Sequence, residues 1–203
     1  MTSNTKSDQK SYHHGDLRRV IIETALQMLK EQKGWQFTLR EVARRADVSH
    51  SAPYRHFPDK ATLLRELALI GFDQLLADLQ LAEDAASTTA EQLKALAHAY
   101  LSFGAESPDL YRLMFAADAG EPSSIHADPR ALAPFQLVIH ALENGQRVNA
   151  VRRRSVLGQA TACWAHLHGL TTLSIDGRLI PAKVGDNAVE EALTTLLDGL
   201  VLD

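Results

Sequence analysis

The chain has little of what would mark it for export, a membrane or catalysis. Cys163 is its single cysteine in 203 residues, so no disulfide can close within it and a reducing compartment is expected. No apolar run approaches the ~18 residues of a membrane span. The opening residues, MTSNTKSDQKSYHHGD, contain no apolar core of a secretory signal. A cytoplasmic protein without a membrane partner is the expectation. HExxH, CxxC and glycine-rich phosphate loops do not occur, which removes the common metal and nucleotide motifs. Nine histidines remain, but His13 and His14 are adjacent and His166 and His168 are two apart. Neither spacing puts both rings on one helix face. No catalytic residue, metal ligand or cofactor follows from the sequence, and no enzymatic activity is expected. Alternating strand patterns are also missing, so the fold is expected to be all-α, with about nine helices.

Charge is unevenly spread. Up to Lys60 there are 11 Lys and Arg against 7 Asp and Glu, which leaves 10 against 18 for the rest, within a net charge of −4. A basic head on an acidic body suits phosphate contact by one end only. Residues 1–11 read as a disordered arm carrying Lys6 and Lys10, either reaching toward DNA or serving no purpose in binding. A helix follows from Asp16 to about Lys33, with Leu17, Val20, Ile21, Ala25, Met28 and Leu29 on one face and Gly34 as its stop.

The stretch Thr38–Phe57, TLREVARRADVSHSAPYRHF, organises the remainder. Thr38 and Glu41 have the spacing of a capping box, and Leu39, Val42, Ala43 and Ala46 recur at helical spacing. Ser49 is a good N-cap for a second short helix, and Pro53 must lie near that helix's start. Two short helices joined by a tight turn form a helix-turn-helix, whose second helix presents its first residues to base edges in the major groove. His50, Ser51, Tyr54 and Arg55 are then the candidate reading surface. Thr38, Tyr54, His56 and Lys60 are candidate phosphate contacts, with Arg40 and Ser49 beside them. Asp47 stands where such a turn often has glycine, and it is expected to accept the left-handed conformation at small cost.

Pro58 forces Phe57 out of the α region, and Asp59 can cap a long helix running from Lys60 into the 80s. Further helices are expected from Thr88, whose partner Glu91 completes a second capping box, to Glu106. Others run from Pro108 to about Ala116, from Pro129, behind the Asp128 cap, to about Asn149, and from Ser155 to about Ile175. Asp186 or Asn187 caps the last, to about Leu202. A Gly-, Pro- and Ser-containing loop spans Ala119–Asp128. The Arg152–Arg154 run reads as a solvated turn or a second DNA contact.

From about Tyr12 to Leu69 the chain resembles the DNA-binding domain of the TetR family of transcriptional regulators. Thr38, Val42, Ala43, Val48, Tyr54, His56, Phe57, Lys60, Leu63 and Leu64 fall where that family's pattern has them. The resemblance implies a DNA-binding domain over 12–60, with its motif at 38–57, and a regulatory, ligand-binding and dimerisation domain over 61–203. It also implies a homodimer through the last two long helices, a palindromic double-stranded operator, and a repressor released by a small-molecule ligand. Trp164, His168 and Gly169 resemble the Trp-His-Gly signature of one subgroup. With Phe103, Tyr111, Met114, Phe115, Phe135 and His140, Trp164 and His168 either line a ligand cavity or belong to the core. A helical protein-interaction module without DNA binding and an enzyme are the alternatives from other functional classes.

Overall fold

The computed structural model describes residues 14–32, 34–116 and 125–202; the arm with Lys6 and Lys10 and loop residues 117–124 lie outside them. Helices α1 (His14–Gln32) and α2 (Leu39–Arg45) are followed by a 3-10 turn, Pro53–Arg55, and by α3 (Lys60–Asp84). Then come α4 (Thr89–Glu106), α5 (Pro108–Met114), α6 (Pro129–Arg147), α7 (Val156–Ile175), α8 (Pro181–Val184) and α9 (Ala188–Leu200). Among the described residues there is no strand, only an isolated antiparallel bridge between Val151 and Val201. The fold is all-α.

Helix starts follow local chemistry closely. Thr38 Oγ1 accepts the Glu41 N–H at 3.2 Å while the Glu41 carboxylate accepts the Thr38 N–H at 2.6 Å. Thr88 and Glu91 repeat the arrangement at 3.2 and 3.0 Å. Asp59 accepts from Thr62 N, Asp128 from Arg130 N and Ser155 from Gly158 N. Each cap satisfies an amide that has no partner within its helix. Gly34 ends α1 at φ +151, its N–H donating to Leu29 O. Asp47 takes the left-handed turn position at φ +53.

Three local expectations are corrected. The second element of the 38–57 motif is a single 3-10 turn rather than an α-helix, because Pro53 opens it and Pro58 leaves no room to propagate. Its bonds are Arg55 N to Ala52 O, His56 N to Pro53 O and Phe57 N to Pro53 O. Ser49 opens this turn through its carbonyl, which accepts from Ala52 N, while its hydroxyl pairs with Ser51 Oγ at 3.3 Å. The last helix ends at Leu200, and Asn187 caps it without a side-chain bond. There the backbone leaves the helix to pair with residues 150–152: Arg152 N donates to Leu200 O and Leu202 N to Ala150 O. Arg152–Arg154 are exposed on this solvated connection.

The head is built from α1, α2, the 3-10 turn and the start of α3 around Ile21, Ala25, Leu29, Phe37, Val42, Phe57 and Leu63. Helix α3 continues out of the head to pack against α4, α5 and α6, and α4 and α6 both pack on α7. One helix therefore belongs to both halves. The α4–α7 crossing is close enough that a Cβ on Gly104 would lie 2.1 Å from Thr171 Cγ2. Thr171 is itself buried and bonded to Leu167 O at 2.8 Å. Helix propensity alone favours alanine over glycine, but this steric clash outweighs it. Gly104→Ala is expected to lower stability by about 1–3 kcal/mol in urea unfolding.

Candidate DNA interface and regulatory cavity

The 3-10 turn holds its side chains outward because its inward face is spent on packing: Ala52, Pro53 and Phe57 are buried. Tyr54 is 47% exposed despite being a large aromatic. Ser49, His50, Ser51, Arg55 and, on α2, Arg40 are exposed beside it, with His56 and Lys60 half-buried at the rim. An exposed tyrosine among hydrogen-bonding and cationic groups is a surface made for contact rather than for the core. Lys60 Nζ lies 5.8 Å over the Phe37 ring, so its stem is braced by the head while its charge remains at the surface. Among the described residues Arg40, Arg55 and Lys60 make no ion pair, whereas Arg45 is tied to Glu31 at 2.5 Å.

Thr38 differs from the others. Its hydroxyl donates to Glu41 Oε2 at 2.9 Å as well as accepting the Glu41 amide. The Thr38 N–H, through its bond to the Glu41 carboxylate, is the leading cause that holds that group below the ordinary glutamate range. The Thr38 O–H is therefore already committed to the cap, and its remaining lone pair, an acceptor like the phosphate oxygens, meets a phosphate only through a bridging water.

The body holds a partly open cavity of about 300 Å³. Its walls are Phe72, Leu75 and Leu79 from α3; Leu93, Leu96, Ala97 and Tyr100 from α4; and Ala131, Leu132, Pro134, Phe135 and Val138 from α6. Ala160, Thr161, Cys163, Trp164 and Leu167 of α7, and Leu196, Leu197 and Leu200 of α9, complete it with Phe115 and His126. Among the described residues no Asp, Glu, Lys or Arg lines it. Of the residues expected from the sequence, the fold brings Phe115, Phe135 and Trp164 to this cavity. Phe103, Tyr111 and Met114 are buried in the core away from it, and His140 is exposed on the outer side of α6. Helical spacing shows that a side chain is apolar-facing, not which neighbour it faces.

His168 stands behind the wall and joins it through hydrogen bonds. Tyr111 Oη is 2.7 Å from His168 Nδ1 and 3.0 Å from Tyr100 Oη, and Tyr100 is the member that lines the cavity. Burial pushes the Tyr100 hydroxyl well above the usual phenol range and the Tyr111 hydroxyl up to about 12. Desolvation, then the nearby His126, lowers His168 from the ordinary imidazole value. Burial also raises the Cys163 thiol to about 11, which leaves it an unreactive small hydrophobe. Tyr100 is the cavity residue that the sequence does not single out, because helical spacing marks it only as one of the apolar-facing side chains of α4.

An ion-pair lattice connects the cavity wall with the head. Arg130, in the first turn of α6 beside wall residues Ala131 and Leu132, donates from Nε to both Asp73 oxygens at 3.1 and 3.0 Å and from Nη2 to Asp73 Oδ2. Its Nη1 reaches Glu66 Oε1 at 3.3 Å, and the same oxygen pairs with Arg18 Nη2 of α1 at 3.2 Å. Arg65 of α3 binds Asp128, the α6 cap, at 2.8 Å. Pro134 gives no N–H to the carbonyl of Arg130, which loosens this first turn from the rest of α6.

Residues 93–200 match the family model described as "Tetracyclin repressor-like, C-terminal domain", and residues 21–67 match "Bacterial regulatory proteins, tetR family". The nucleoid occlusion factor SlmA of Shewanella frigidimarina is 30% identical over 97 residues, 48% of this chain and 49% of the relative. The chain thus spans about half the length of the curated relatives it matches. A protein of unknown function from Rhodococcus sp. RHA1 superposes with a TM-score of 0.80 at 33% identity, covering 96% of this chain and 100% of that one. The fatty acid degradation regulator FadR of Bacillus halodurans shares the fold at 18% identity, with a TM-score of 0.70 over 90% of this chain and 98% of that one. A TetR family transcription regulator from Marinobacter aquaeolei VT8 does so at 17%, with a TM-score of 0.69 over 93% and 97%.

Proposed function

The chain belongs to the TetR family of DNA-binding transcriptional regulators, and on that premise we propose that it is a homodimeric repressor whose palindromic operator is released by a small molecule bound in the body. The head comprises about residues 12–60 and the body 61–203, with α3 as the lever between them. The ion-pair lattice carries the reading: the loosened first turn of α6 is at once a wall of the cavity and, through Glu66, a partner of Arg18 on α1. A ligand that presses on Ala131 and Leu132 favours a different seating of Arg130 on α3. The two heads then change separation and no longer fit both half-sites. The Trp164, His168 and Gly169 signature agrees with the same regulatory role.

On the DNA side, Arg55, Tyr54, His50 and Ser51 read bases, while Arg40, Ser49, His56, Lys60 and the capped start of α2 at Thr38 position the backbone. Arg55→Ala is expected to cost about 1–3 kcal/mol of operator affinity and to relax specificity at one base pair. Lys60→Ala is expected to weaken all sequences alike and to lower the salt slope by about one. Titrations of each variant against operator and unrelated DNA at two salt concentrations separate these roles. Equal loss on both DNAs for Arg55→Ala would remove it from the reading surface.

A further inference from the structure

We infer that the cavity takes an uncharged, mostly apolar ligand carrying one hydrogen-bonding group, and that Tyr100 reads this group. The inference rests on the ligand-responsive reading above and narrows it to a chemical class. Two observations carry it. The first is the lining: among the described residues no carboxylate, ammonium or guanidinium faces the space, so a ligand charge finds no opposite partner there and keeps its desolvation cost.

The second is the Tyr100–Tyr111–His168 chain, with its contacts of 3.0 and 2.7 Å. It has two proton arrangements. With the proton on His168 Nε2, Nδ1 accepts from Tyr111, Tyr111 oxygen accepts from Tyr100, and Tyr100 offers the ligand a lone pair. With the proton on Nδ1, every bond reverses: His168 donates to Tyr111, Tyr111 donates to Tyr100, and the Tyr100 O–H is free to donate into the cavity. The same hydroxyl therefore meets either a ligand hydroxyl or a ligand carbonyl, and the buried tautomer shift absorbs the difference. Neither arrangement requires a charged member, in accord with the lowered His168 basicity and the raised tyrosine values. Tyr111 is held almost fully buried by its neighbours, 1% exposed, so it is a fixed support behind the wall residue Tyr100.

The test uses the full-length Trp35→Phe protein, in which Trp164 at the cavity is the remaining one of the two tryptophans. Its fluorescence is titrated at about pH 8, above the ordinary histidine range, with 1-decanol and with the equally long decanoate and decylamine. Decanol is expected to bind at least about tenfold more tightly than either charged probe. Tyr100→Phe is expected to reduce decanol binding roughly three- to tenfold, with the melting temperature lowered by only a few degrees, since the Tyr111–His168 bond survives. A charged probe binding as tightly as decanol, or decanol binding unaffected by Tyr100→Phe, would overturn the inference. Operator release is read separately. Decanol that binds but leaves DNA bound upholds the ligand class and refutes the release mechanism, whereas release by decanoate does the reverse.

Discussion

Ala165→Arg is expected to convert the proposed homodimer into monomers and to lower operator affinity by at least about a hundredfold. The basis is the composition of α7: none of its 20 residues is charged, yet one side of it faces outward in the single chain. Leu157 is 63% exposed, Trp164 45% and Leu173 40%, with exposed Gly158, Thr161, Ala162 and Ala165 among them. A surface of this kind needs a cover, and small residues allow a second helix to approach closely. In an isologous interface each substitution appears twice, so two guanidinium groups would be buried without partners. The folded monomer tolerates the change, because position 165 is exposed there. Light scattering should give the monomer mass with undiminished helicity, and a variant that remains dimeric would remove α7 from the interface. Operator affinity falls because a single 3-10 turn reads only a few base pairs, and two heads are needed for a palindrome.

Arg130→Ala is expected to uncouple the cavity from the DNA. Allosteric coupling is commonly about 1–3 kcal/mol, or 5- to 150-fold in affinity; in this variant ligand should alter operator affinity by less than about twofold. Ligand binding itself should stay near wild type, because Arg130 does not line the cavity. The loss would be specific. Asp73 would lose its guanidinium partner, Glu66 would keep only Arg18, and the first turn of α6 would lose its grip on α3. Exposed pairs contribute little to stability, so the melting temperature is a weak readout and ligand response the strong one. An Arg130→Ala protein released normally by ligand would contradict the lattice as the route of coupling.

Local chemistry was legible in the sequence at most helix starts, where cause and effect lie within four residues. The capping boxes at Thr38–Glu41 and Thr88–Glu91, the caps at Asp59, Asp128 and Ser155, and the left-handed Asp47 all stand as read. What escaped depends on distance or on competition between neighbours. The recognition element shrank to a 3-10 turn because Pro53 and Pro58 bound it on both sides. Arg130 meets partners 57 and 64 residues away, which no periodicity can announce. Tyr100 and His140 both sit on helices with clear apolar faces, yet one lines the cavity and the other faces water, since the choice is made by the packing of α4 and α6 against α7.

Selection of bound duplexes from random DNA by the purified 203-residue chain distinguishes a paired reader of DNA from a single one. An inverted repeat whose half-site centres lie about one helical turn apart, roughly 10 base pairs, is expected to be enriched, with Arg55→Ala relaxing the same position in both halves. An unrepeated half-site, or no enrichment over input DNA, would contradict the paired reader.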